Sequence, residues 1–313
     1  MDCGPCGAAA DRRTVWCVFE TYETTDIDVA GVRLRVRTGG SGPAVLLLHG
    51  FPQTSAMWHL MADPLADAAT VVVPDLRGYG DSARPPSDEG HHPYSFRAMA
   101  ADGVGLMREL GHERFAVVGH DRGARVGHRM GLDHPGAVER LVVLDILPTR
   151  HVYSTVDRRV ATAYYHWFFF AQPGELAEHL MAGDPGWYLH RLLGGWGSAL
   201  DTFAPEALAE YERCFADAEA RHAMMEDYRA AAAIDIEHDD ADAAAGRRLS
   251  MPLLALWGAD GLVAGDRTDP LDVWWGYADD VRGSELPGGH FLAEECPGEV
   301  LAALLPFLAE RDQ

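Results

Sequence analysis

Basic residues are scarce in this chain: 26 stand against 48 acidic ones, for a formal charge of -22. Nucleic acids and anionic membrane surfaces both need a basic footprint, so both are excluded as expected partners. An anionic substrate would be repelled by the same global field, so a site for one needs local positive charge that wins at short range. No run is long and apolar enough to span a membrane, and residues 1–13 lack the apolar core of a signal peptide. The five cysteines are scattered and odd in number, which favours reduced thiols in a cytoplasmic protein over a disulfide framework. Cys3 and Cys6 form a lone CxxC with no second ligand pair, so no metal is expected there. Residues 1–24 are expected to be a flexible extension. Internal repeats and low-complexity tracts are also missing.

What is present is ample core material. At 313 residues and 48% hydrophobic content, the chain can hold one large α/β domain with an inserted subdomain. Residues 25–36 alternate around Ala30-Gly31, the pattern of an antiparallel hairpin. Short apolar runs follow at residues 45–48, 70–73, 115–118, 141–144 and 253–256, separated by helical or turn-rich stretches. That is the pattern of a mostly parallel sheet covered on both faces, whose ligands sit at the carboxyl ends of the strands. His49, Asp75, Asp121, Asp145 and Asp260 all fall at such ends. Between residues 148 and 247 the pattern turns helical and aromatic-rich, so the expected layout is an α/β core of residues 25–147 and 248–313 with a helical cap of residues 148–247. The acidic run 235–242 reads as a solvated helix face or loop.

Val118-Gly119-His120-Asp121-Arg122-Gly123-Ala124-Arg125 carries the chemistry. A buried strand followed by small residues permits a sharp strand-to-helix turn that lifts one side chain out of the sheet, a nucleophile elbow. Here that side chain is a carboxylate. A serine would attack acyl carbonyls, whereas an aspartate displaces a leaving group from saturated carbon and forms an ester that must then be hydrolysed. Alkyl halides and epoxides are the substrates this suits. Downstream, Leu286-Pro287-Gly288-Gly289-His290-Phe291 places a histidine in a late glycine-rich loop. Nucleophile, acid, then late histidine is the chain order of the α/β-hydrolase triad, which makes His290 the expected base. Two strand ends offer the acid. Asp145 is favoured, and Asp260, after Trp257-Gly258-Ala259, remains the alternative; many hydrolases of this fold carry the acid where this chain has Gly261.

From about residue 32 onward the chain resembles the fluoroacetate dehalogenases, the haloacetate dehalogenase branch of the α/β-hydrolases. The resemblance is carried by His49-Gly50-Phe51-Pro52-Gln53, Asp75-Leu76-Arg77-Gly78-Tyr79-Gly80, His120-Asp121-Arg122-Gly123-Ala124-Arg125, Leu144-Asp145-Ile146-Leu147-Pro148, Tyr165-His166-Trp167, Glu226-Asp227-Tyr228-Arg229-Ala230 and Gly289-His290-Phe291. The first two belong to the fold at large; the paired arginines, His166-Trp167 and Tyr228 are specific.

Arg122 and Arg125 lie three residues apart at a helix start and share a face. Two cations there oppose the helix dipole and each other, an arrangement that makes sense around a substrate carboxylate held in a planar grip. The competing reading pairs both arginines with cap carboxylates. The resemblance implies that His166, Trp167 and Tyr228 donate hydrogen bonds to the departing halide, with Tyr228 favoured over Tyr211, and that Trp196 narrows the pocket. It also implies an oxyanion site from the backbone N–H groups of Phe51 and Arg122, a small 2-haloacid as substrate, no metal or organic cofactor, and a homodimer. His49 and Asp75 are expected to be structural, and His120 is given no chemistry. An epoxide hydrolase is the alternative, since Tyr153, Tyr164, Tyr165 and Tyr228 supply cap phenols.

Overall fold

The computed structural model describes Phe19 and residues 21–310. Strands β1 (Glu23–Val29) and β2 (Val32–Gly40) form the antiparallel hairpin, turning at Ala30 and Gly31, both at positive φ. Then come β3 (Ala44–Leu48), β4 (Thr70–Pro74), β5 (Phe115–His120), β6 (Val138–Leu144), β7 (Leu253–Gly258) and β8 (Val281–Leu286). They make one sheet in the order β1-β2-β4-β3-β5-β6-β7-β8, parallel from β4 through β8. β3, β5 and β7 are buried along their whole length, because helices cover both faces and continuous apolar sequence is what such strands require. β8 is an edge strand buried at its two ends alone, so Val281-Arg282-Gly283-Ser284-Glu285-Leu286 gave no apolar run to read. No helix among the described residues is long and apolar enough to cross a membrane.

Two expectations need correction. The boundary expected at residue 24 is set too late, because Phe19 and Tyr22 are buried in the core and meet edge to face at 5.3 Å, and β1 already begins at Glu23. Cys3 and Cys6 lie outside the described residues. The acidic run is likewise not a solvated face. It lies within helix Ile234–Ala244, and Asp235, Asp239 and Asp242, spaced four and three residues apart, share a buried face. Asp239 and Asp242 bind the Arg129 guanidinium, and Asp235 accepts the Phe96 N–H at 3.0 Å, the start of helix Phe96–Glu109. Buried carboxylates need such partners, and these tie the segment between β6 and β7 to the core helices Phe96–Glu109 and Asp121–Asp133.

Candidate active site

β5 ends at His120 and helix Asp121–Asp133 begins at once, with Asp121 at φ 44°. A non-glycine residue at positive φ is strained and persists where its surroundings fix it. Here the elbow is pressed against the neighbouring strand: a Cβ on Gly123 would stand 2.3 Å from the Leu48 carbonyl oxygen, so only glycine permits the approach. The Asp121 carboxylate is buried at the helix N-terminus, and Phe51 N–H donates to its Oδ2 at 3.1 Å. Burial would raise its pKa, but His290, Arg125, His120 and Arg122 together outweigh that and hold it below the usual carboxylate range. Asp121 is therefore an anion at neutral pH.

His290 stands beside it. Its Nδ1 meets Asp145 Oδ2 at 2.7 Å, and Asp145 Oδ1 accepts the Gly258 N–H at 3.1 Å. Asp145 leaves the end of β6 at φ 51°, pinned by its own N–H to the Leu256 carbonyl at 2.8 Å. Asp260 is exposed and joins the loop through its backbone N–H to Gly288 O. A Cβ at Gly261 would lie 2.9 Å from Asp145 Oδ1, so an acid at either position would occupy the same space beside the histidine. Burial lowers the His290 pKa, but the Asp145 hydrogen bond and charge, helped by Asp121, raise it above the ordinary value overall. We expect Asp145→Asn to lower steady-state turnover by about 10²- to 10⁴-fold through a disoriented base, while Asp260→Asn stays within about twofold of wild type. A larger loss for Asp260→Asn under the same assay would reverse the assignment.

His120 packs its ring 4.6 Å from that of His290, and its Nε2 meets the His290 carbonyl oxygen at 2.8 Å; burial pushes its pKa down to about 3, so it is neutral and holds the loop. His49 Nε2 accepts the Leu76 N–H at 3.0 Å, and Asp75 accepts the N–H groups of Ser55 and Asp81 at 2.9 and 3.0 Å.

The two arginines are not equivalent. Arg122 is wholly buried, and its guanidinium is held by Asp227: Nε donates to Oδ2 at 2.9 Å, Nη2 to the Asp227 carbonyl at 2.8 Å and also to Oδ1. So the reading that gives the arginines cap carboxylates holds for Arg122. Among the described residues its buried Nη1 has no hydrogen-bond partner. Arg125 hydrogen-bonds no carboxylate among the described residues; Nη1 donates to Leu147 O at 2.9 Å and Thr149 Oγ1 at 3.0 Å, and its buried Nε has no hydrogen-bond partner there. Each guanidinium also lies over a ring, Arg122 over Tyr228 at 4.3 Å and Arg125 over Trp167 at 4.4 Å. Both thus keep buried N–H donors in hand.

Asp121, His166, Trp167 and His290 line a common cavity of about 10 Å³, together with Tyr164, Trp196 and Leu262. That is room for about one water-sized body, so a substrate must be small or the segment between β6 and β7, which supplies Tyr164, His166, Trp167 and Trp196, must give. Among the described residues the buried His166 Nδ1 has no hydrogen-bond partner, and burial pushes the His166 pKa down to about 3, leaving a neutral ring. Tyr228 packs 5.8 Å from the His166 ring and 5.2 Å from Phe51, just outside the cavity wall. Tyr211 sits in a separate buried cluster, donating to Glu294 at 3.2 Å. Sequence reasoning missed Leu262, which lies in a loop with no periodicity, and took Tyr164 as a cap-core aromatic or an epoxide-activating phenol, not as a wall of this cavity. A larger hollow of about 490 Å³, walled by Pro43, Leu65 and Leu305 among others, contains no nucleophile–base pair. Among the described residues, no group of three or more His, Cys, Asp or Glu is arranged to hold a metal ion.

Comparison with known proteins agrees with this geometry. A family model described as alpha/beta hydrolase fold matches residues 43–297. A fluoroacetate dehalogenase from Burkholderia sp is 46% identical over 294 residues, covering 94% of this chain and 96% of its own. A soluble epoxide hydrolase from Corynebacterium sp. is 32% identical over 285 residues, 90% of this chain and 95% of the relative. Among solved structures, an alpha/beta hydrolase from Nostoc sp PCC 7120 superposes with a TM-score of 0.91 at 50% identity, covering 94% of this chain and all of that one.

Proposed function

Because this chain belongs to the alpha/beta hydrolase family, whose triad runs nucleophile, acid, histidine along the chain, we propose that it hydrolyses haloacetates to glycolate and halide through an ester on Asp121. The observation that carries this reading is the buried, ionised Asp121 at an elbow beside His290, with the two arginines retaining unpartnered buried N–H donors. In the first step an Asp121 oxygen attacks the halomethyl carbon, and the halide leaves with the bonding pair. Arg125 and Arg122 Nη1 hold the substrate carboxylate so that the neighbouring carbon lies in line with Asp121. His166, Trp167 and Tyr228 aim ring N–H and phenol O–H groups at the charge growing on the halogen.

In the second step His290 takes a proton from water, and the resulting hydroxide attacks the ester carbonyl carbon. Phe51 N–H already touches an Asp121 oxygen and, with Arg122 N–H, stabilises the tetrahedral oxyanion. Collapse expels glycolate, which takes the proton from His290, and restores Asp121. Esterification removes the Asp121 charge, and with it one of the influences that raise the His290 pKa. The loss of that charge shifts the histidine toward its neutral, proton-accepting form at the step that uses it. Neither step calls for a metal or organic cofactor.

Tyr164 in the cavity wall favours a second reading, epoxide hydrolysis, because a phenol there can protonate an epoxide oxygen. A neutral epoxide, however, has no use for the buried N–H groups of Arg125, which hydrogen-bond no carboxylate among the described residues. Halide release should be measured from fluoroacetate, chloroacetate and bromoacetate alongside diol formation from a styrene-type epoxide. Halide without diol supports the dehalogenase; diol without halide would replace it.

Leaving-group assistance can be isolated by comparing two substrates on one variant. Tyr228→Phe is expected to cut fluoroacetate turnover by about 2–4 kcal/mol of lost transition-state stabilisation and chloroacetate turnover by far less, since fluoride is the poorer, more charge-dense leaving group. Any folding loss cancels in the ratio. Equal damage to both would mean that Tyr228 shapes the cap without touching the halogen.

The same reading includes a cytoplasmic homodimer. Cys214 and Cys296 are buried free thiols, suited to a reducing compartment. Trp187 and Leu180, 63% and 61% exposed on consecutive cap helices, offer an apolar surface that a second copy would cover. Sedimentation at twice the mass of one chain is the expected result, and a monomer at micromolar concentration would remove the dimer.

A further inference from the structure

Asp227 is fully buried in helix Ala218–Ala232 of the cap, one residue before Tyr228. Its two carboxylate oxygens and its backbone carbonyl all face Arg122, and Tyr79 O–H donates to Oδ2 at 2.7 Å, so one carboxylate fastens a core arginine, a cap helix and the loop after β4. The Tyr228 ring lies beneath the same guanidinium at 4.3 Å and the Phe96 ring approaches it at 4.7 Å, which fixes the plane as well as the direction. Three of the arginine's interactions are thereby spent, and Nη1 is the buried donor left over. A substrate-binding arginine bound this tightly has lost freedom of position and has had its charge cancelled.

We propose that Asp227 is a positioning residue that divides the work of the two arginines: it converts Arg122 into a fixed, charge-neutralised donor for the substrate carboxylate and leaves Arg125 as the cation that attracts it. This rests on the haloacetate reading above. The division suits an enzyme whose product is a small anion. With both arginines uncompensated, the site would carry two positive charges and would hold halide after the carbon–halogen bond had broken. With Asp227 in place, Arg125 balances Asp121 in the resting site, and after ester formation it balances the substrate carboxylate. The halide then has no uncompensated cation to stay with.

Asp227→Asn tests this with two readouts that should move in opposite directions. The amide keeps the shape and part of the hydrogen bonding but removes the charge, so bromide should bind the site at least fivefold more tightly, measured by quenching of tryptophan fluorescence or by inhibition. Fluoroacetate kcat/KM should fall at least tenfold, because the Nη1 donor is no longer held in place. A merely structural lesion would weaken both. Tyr79→Phe keeps the Asp227 charge and removes one hydrogen bond; it should lower fluoroacetate kcat/KM about threefold to fivefold and leave bromide affinity unchanged. Unaltered bromide affinity in Asp227→Asn would overturn the proposal, and so would unaltered turnover in Tyr79→Phe if Asp227→Asn does not fold. Failure of the wild-type protein to release halide would sink the dehalogenase reading instead, and the bromide comparison would still decide the role of Asp227.

Discussion

Asp121→Asn is expected to lower halide release from any haloacetate by about 10⁴-fold or more while leaving a folded protein. The argument is electrostatic before it is steric. The surroundings hold Asp121 ionised in spite of its burial, and an amide of the same shape offers no negative oxygen to attack carbon. Asparagine also tolerates the positive φ of the elbow and can still accept the Phe51 N–H, so the turn survives. Halide release measured beside a thermal melt separates lost chemistry from lost folding. A folded variant within about tenfold of wild type would show that Asp121 is not the nucleophile.

His290→Asn should be nearly as severe in steady state but different in kind. The displacement step does not need the histidine, so each site should release one halide and then stop, with Asp121 carrying a carboxymethyl ester. The distinguishing measurement is a burst equal to the concentration of sites, followed by mass analysis of the peptide containing Asp121. Asparagine cannot take a proton from water, so the second step should slow by about 10²- to 10⁴-fold, the range for losing a general base. In wild type the same step should weaken as pH falls, because protonated His290 is no base and the Asp145 hydrogen bond and charge still favour its protonated form in the ester. Continued turnover by His290→Asn would mean that another group activates the water.

Much of this was legible in the sequence because parallel strands buried on both faces must be apolar throughout: β3, β5 and β7 announce themselves, and Asp121, at the carboxyl end of β5, enters the cavity that His290 also lines, whereas Asp260 beyond β7 stays exposed. The elbow was legible for a similar reason, since Gly123 faces a carbonyl that excludes any side chain. β8 was not, because an edge strand need not be apolar. The acidic run misled because composition gives charge but not partners; Arg129 and the Phe96 N–H, distant in sequence, turn its aspartates inward. The arginine pair was visible as a pair, but nothing local could reveal that Asp227, more than a hundred residues away, neutralises one member. Leu262 sits in the cavity wall through loop geometry alone.

The central claim is that the oxygen delivered to carbon comes from Asp121 and not directly from water. A single turnover of chloroacetate, with enzyme in excess and water labelled with heavy oxygen, tests it. The account predicts that the first glycolate carries an unlabelled hydroxyl and that the heavy oxygen appears in the Asp121 carboxylate, because water attacks the ester carbonyl carbon. Heavy oxygen in the hydroxyl of that first glycolate, with Asp121 unlabelled, would contradict it and make His290 the activator of a water that attacks the substrate itself.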